Sequence, residues 1–198
     1  MSTAPTAERW AFFDCFAGIS GDMTLGALMD LGLEVTDLER LLQDLGLTEV
    51  RLTSSRVTKE HLTGVKIAFQ AGGPQPSRNY REICALISRA PLTEGVKDLS
   101  LQMFRLLGEA EARIHGQSLE SVHFHELGAL DTILDVVGVA YGVESLGITK
   151  VFFGDKPRSS RFCKPPSETT ILYTSRAIKN LKASLNRLAI SGFLGEGV

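Results

Sequence analysis

Residues 10–32 read WAFFDCFAGISGDMTLGALMDLG. Trp10 to Phe16 is an apolar, aromatic run of the right length for a buried strand. Two glycines then punctuate Ala17-Gly18-Ile19-Ser20-Gly21-Asp22-Met23, where Ser20 and Asp22 are residue types that cap helices. Met23 to Leu31 has a helical stripe of Leu25, Leu28 and Met29, and Gly32 stops it. Strand, glycine loop and helix in that order make the start of an α/β unit, and they set the fold class.

Working outward, a second helix is expected from about Asp37 to Leu45, stopped by Gly46. Val50–Val57 and Leu62–Phe69 read as paired strands with Lys59, Glu60 and His61 in the turn. His61 stands alone there and is expected to face solvent. Residues 71–77 (AGGPQPS) form a loop, and Tyr80–Ser88 is a helix that breaks before Pro91. Leu92 to His115 is a long helix ending at Gly116. Val122–His125 is expected to be extended, Leu127–Leu146 is a second long helix, and Ile148–Phe153 is a last strand. The order predicts a mixed α/β or α+β fold with short strands and several long helices. It forms a single domain over residues 1–153, followed by a poorly ordered tail over 154–198.

Charge divides at the same boundary. Residues 1–153 hold 13 basic and 20 acidic residues, whereas 154–198 hold 8 basic and 3 acidic. A helix over roughly Ser175–Ile190 would align Ile178, Leu181, Leu185 and Leu188. The whole chain carries a formal charge of −2, which provides no general field for nucleic acid or an anionic membrane. No apolar run reaches the ~18 residues of a membrane span, and the N-terminus lacks a signal-peptide pattern. Three scattered cysteines, Cys15, Cys84 and Cys163, make neither a disulfide framework nor a Cys-x-x-Cys zinc site. A cytoplasmic location is the expectation.

Two stretches carry chemistry. Three of the four histidines, His115, His123 and His125, fall within eleven residues, with Glu126 adjoining. Extended backbone over 122–125 would turn His123 and His125 to one side. Neutral imidazoles suit Ni, Zn, Cu or Fe, and a neighbouring carboxylate completes such a site or orients a ring. Asp131 and Asp135, four apart, share a helix face. The same histidines would also serve as helix caps or interface groups. The second stretch is the glycine loop. Gly18, Ser20, Gly21 and Asp22 present backbone N–H groups at a helix start, as anion-binding loops do. Yet the loop is neither Gly-x-Gly-x-x-Gly nor a Walker loop. Asp14 and Asp22 add negative charge, so a cation or a sugar hydroxyl fits as well as a phosphate, and a plain strand-to-helix turn fits too.

Phe13–Leu28, then Ala110–Gly116 followed by Val122–Ala129 and Asp131, resemble the paired signatures of the LarC family, the nickel insertion proteins of the nickel-pincer nucleotide cofactor pathway. The resemblance covers roughly Trp10 to Phe153. It implies a CTP-dependent cyclometallase, a lyase that inserts Ni2+ into pyridinium-3,5-bisthiocarboxylic acid mononucleotide with Mg2+ or Mn2+. It makes His115, His123, His125 and Glu126 the expected nickel ligands, with Asp14 and Asp22 in a second line. Gly18, Ser20, Gly21 and Asp22 are the expected cofactor-binding set. The family's CTP site belongs to a C-terminal domain, so a separately supplied C-terminal half is an expected partner, and a homo-oligomer a further one. Departures from the family pattern fall at Pro76 and Ser77, where many members carry histidines, and after Phe153, where DKPRSSRFCKPPSETT replaces a Pro-Ala-rich segment. The resemblance thus also admits a truncated or frameshifted product, or a binding module without turnover.

Overall fold

In the computed structural model, the described residues are 8–14, 19–59, 61–73, 78–122, 130–153 and 169–173. The first strand, β1 (Arg9–Asp14), is central in a three-stranded parallel sheet. On one side lies β4 (Ile148–Phe153) and on the other β5 (Thr169–Tyr173). Phe13 pairs with Phe153 and Asp14 with Tyr173, so the three carboxyl ends share one edge of the sheet. Side chains alternate along β1: Ala11 and Phe13 are buried, while Trp10 and Phe12 turn to the opposite, half-exposed face. There Trp10 meets Phe152 with ring centroids 5.7 Å apart, and Lys150 Nζ sits 4.5 Å above the indole.

The buried face packs on α1 (Gly21–Asp30) and α5 (Leu130–Ser145). Leu25 and Leu28 of α1 meet the apolar stripe of α5 that includes Ile133 and Val137, all fully shielded. On another side α1 carries the antiparallel hairpin of β2 (Val50–Lys59) and β3 (Leu62–Ala71). Contact there is close, because a Cβ on Gly26 would run into the Val65 carbonyl oxygen. Lys59 pairs with Leu62, leaving a two-residue turn in which exposed His61 adopts φ 70°. Left-handed backbone of this kind fits a two-residue hairpin turn.

The other helices lie where the periodicity puts them, with starts set by local chemistry. The second helix, α2 (Val35–Asp44), begins two residues before Asp37, because the Glu34 N–H donates to Asp37 Oδ2 at 3.2 Å. Asn79 caps α3 (Tyr80–Arg89): its Oδ1 accepts from Glu82 N, and its own N–H donates back to Glu82 Oε2. The long α4 (Glu94–His115) starts two residues after Leu92, since Thr93 Oγ1 accepts from Val96 N. Its buried Ser100 donates to the Val96 carbonyl at 2.7 Å. A 3₁₀ turn at Leu119–Ser121 follows, which the sequence pattern did not signal. Thr169–Tyr173 adds a strand within the stretch expected as a poorly ordered tail. The helix expected over Ser175–Ile190 lies outside the described residues, as do residues 127–129 of the expected second long helix.

Candidate metal centre

β1 ends at Asp14, and the first residue of α1, Gly21, lies beside α5. Ser20 takes the N-cap position of α1, but its hydroxyl does not cap the helix. It donates to Asp22 Oδ1 at 2.5 Å, while the Ser20 carbonyl accepts from Thr24 N–H and Thr24 Oγ1. Gly21 lies against Asp135 of α5, since a Cβ there would collide with the carboxyl group. Glycine is therefore required at this position by space. Asp135 is largely buried, and its Oδ1 has no hydrogen-bond partner among the described residues. Burial first, then the neighbouring charges of Asp22 and Asp131, push its carboxyl up to about 7. The helix start that resembled an anion cradle is thus flanked by Asp22, Asp131 and Asp135. Their charge opposes the +0.5 end of the helix dipole and disfavours a phosphate.

His115 is the last residue of α4, ahead of Gly116, which adopts the left-handed cap at φ 63°. Half-exposed, it places Nε2 3.2 Å from Glu111 Oε2, one turn back. An imidazole steadied by a carboxylate is the pairing that presents the other ring nitrogen to a metal. His123, His125 and Glu126 lie outside the described residues, as does Gly18; of Asp14 only the backbone is described. Of the expected nickel ligands the structure therefore places His115, and of the cofactor set Ser20, Gly21 and Asp22. Among the described residues no group of three or more His, Cys, Asp or Glu is arranged to hold a metal ion. What is placed is the frame of the histidine segment: Val122 before it and Leu130 after it are both buried. Asp131 and Asp135 follow Leu130 in the first turns of α5, and Asp135 lies against Gly21 at the start of α1.

The start of α3 carries further polar groups. Tyr80 and Cys84, one turn apart on α3, are hydrogen-bonded, and burial raises both, Tyr80 to about 12. A thiol raised by burial is not an activated nucleophile. Arg78 has a shielded Nη1 without a partner among the described residues. Its sequence context gave no sign of this, because burial of a single nitrogen depends on tertiary packing. An open groove of about 570 Å³ lies elsewhere, between the end of α2 and α3, lined by Asp44, Leu45, Arg81, Glu82 and Arg89 among others.

Asp22 and Asp131 lie within electrostatic reach of Asp135, and His115 stands with Glu111 at the end of α4. The chain belongs to the nickel insertion protein family, whose sequence profile matches residues 11–164. The match runs on past Phe153, and β5 lies beyond it. A relative from Desulfitobacterium hafniense (strain DSM 10664 / DCB-2) is 47% identical over 142 residues, 72% of this chain and 35% of its own. That relative is named pyridinium-3,5-bisthiocarboxylic acid mononucleotide nickel insertion protein. Relatives named as nickel insertion proteins from Geobacter sp. (strain M21) and Thermomicrobium roseum are 44% identical over 153 residues and 45% over 152. They are covered over 40% and 37% of their length, so this chain spans well under half of the relatives it matches. No solved structure matches. No described helix is long and apolar enough to cross a membrane.

Proposed function

We propose that this chain supplies the nickel-binding part of a nickel-insertion reaction whose acceptor is pyridinium-3,5-bisthiocarboxylic acid mononucleotide. The observation that carries the reading is the 47% identity to a relative bearing that name, together with a family match over residues 11–164 that includes both the glycine loop and the histidine segment. His115, His123, His125 and Glu126 are the proposed ligands of Ni2+, a borderline ion that imidazole suits. Nickel is the cargo here, so the site needs to release it as well as hold it. Gly18, Ser20, Gly21 and Asp22 are assigned to the nucleotide through its sugar hydroxyls, which donate to carboxylate oxygens where a phosphate would be repelled. CTP and Mg2+ or Mn2+ are not assigned to residues of this span.

Isothermal titration of Ni2+ into the 198-residue chain near neutral pH tests the reading. Micromolar or tighter binding is expected, with affinity falling as the solution is acidified, because a protonated imidazole cannot ligate a metal. A double substitution, His123→Ala with His125→Ala, should abolish binding while changing stability by less than ~1 kcal/mol. No heat of binding for the unsubstituted chain would refute the proposal.

A further inference from the structure

Arg78 is the charged group that the nickel reading leaves unused. It stands one residue before Asn79, the cap of α3, and is half-buried. Its Nη1 is shielded from solvent with no hydrogen-bond partner among the described residues. A guanidinium stays ionised at any physiological pH and carries five donors. Burying one of them unpaired costs free energy, so such a group is poised for an acceptor. Two acids of the neighbouring helices are committed. Glu82 accepts from the Asn79 N–H at 2.7 Å, and Glu109 accepts from Arg105 Nε at 2.8 Å.

Its position follows from its neighbours. Tyr80, two residues on, lies within electrostatic reach of Arg105 and Glu109. The start of α3 is therefore beside the second half of α4. Six residues of helix separate Glu109 from His115, about 9 Å at 1.5 Å per residue. Both α3 and α4 also pack on Leu119–Ser121, the turn that leads to Val122. The start of α3 thus lies beside the part of α4 that runs on toward His115, and Arg78 is not among the residues that line the α2–α3 groove.

We propose that Arg78 binds the phosphate monoester of the mononucleotide that receives nickel. The inference rests on the reading above for its acceptor, and it supplies what that acceptor needs. The phosphate requires a cation, and the start of α1 offers Asp22, Asp131 and Asp135 in its place. Guanidinium forks match phosphate oxygens with two parallel donors.

The test uses the 198-residue chain, unsubstituted and as Arg78→Gln and Arg78→Lys. The probes are nicotinic acid mononucleotide, the corresponding riboside without phosphate, inorganic phosphate, and CTP. Nickel titration and thermal unfolding are run on the same samples. The mononucleotide should bind the unsubstituted chain and the riboside much less well. Arg78→Gln should weaken the mononucleotide by about tenfold to a hundredfold, as loss of charged hydrogen bonds does. Arg78→Lys should recover part of the loss, and nickel affinity should stay within about twofold. Equal mononucleotide affinity in a folded Arg78→Gln chain overturns the proposal. So does equal loss for riboside and mononucleotide, a loss confined to CTP, or binding of inorganic phosphate as tight as that of the mononucleotide. If Arg78→Gln does not fold, Arg78→Lys carries the test: unchanged mononucleotide affinity there, despite the lost fork, also counts against it. Absence of nickel binding in the unsubstituted chain would sink the nickel reading alone, because the phosphate comparison needs no metal.

Discussion

At the scale of single residues, Asp135 is where the electrostatics of the domain are most exposed to test. Its carboxyl is raised to about 7 in the folded chain, against an ordinary value near 3.8. Between those values the folded state holds a proton that the unfolded state has lost. Stability is therefore greatest below pH ~4, falls as pH rises, and levels off above pH ~7, by up to about 4 kcal/mol for this group. Asp135→Asn removes the charge and nearly keeps the shape. It should flatten this slope and make the domain more stable than the unsubstituted chain at pH 8, as read by urea denaturation across pH. A substituted chain whose stability followed the same slope would place the titrating group elsewhere. Gly21 belongs to the same contact. Gly21→Ala should cost about 1–3 kcal/mol by overpacking against that carboxyl, measured as a lowered denaturant midpoint at unchanged m-value.

At the scale of elements, the helices and strands were mostly legible because each announced itself twice, by periodicity and by an end signal. The sequence placed α2 from about Asp37 and Gly46 marked its end, yet its start was missed by two residues. Glu34 and Asp37 close a capping interaction that a hydrophobic pattern does not show. The turn at Leu119–Ser121 was not legible, because three residues have too little periodicity to read. The acidic cluster was half legible: the spacing of Asp131 and Asp135 put them on one helix face, but only packing of α1 on α5 brings Asp22 to them. The histidine segment was legible as composition, and of its members His115 lies among the described residues. Packing of elements also makes a prediction. Gly26 of α1 admits the Val65 carbonyl of β3 where any side chain would collide with backbone. Backbone cannot rotate aside as a side chain does. Gly26→Ala should therefore cost at least 1–3 kcal/mol despite alanine's higher helix propensity, and should lower hydrogen-exchange protection across β2 and β3 first.

At the scale of the whole molecule, the question is how the basic C-terminal stretch joins the acidic body. Residues 1–153 and 154–198 differ in sign of charge, and the family match ends at residue 164. Yet Thr169–Tyr173 pairs in parallel with β1, so the central strand of the sheet is completed by residues outside the matched span. This makes β1 an interior strand with ladders on both sides, rather than an edge. Proline tests the pairing without shortening the chain. Adjacent N–H groups of a strand point to opposite edges, so of Thr170 and Ile171 one faces β1 and the other faces outward. Thr170→Pro and Ile171→Pro should therefore differ. One should lose a ladder bond and destabilise the sheet by ~1 kcal/mol or more, with lowered amide protection along Phe12 and Phe13, while its neighbour costs clearly less. Two substitutions with equally small effects would mean that β5 is not held against β1 in solution. The body would then fold around β1 and β4 alone, with the basic stretch contributing charge and no structure to the sheet.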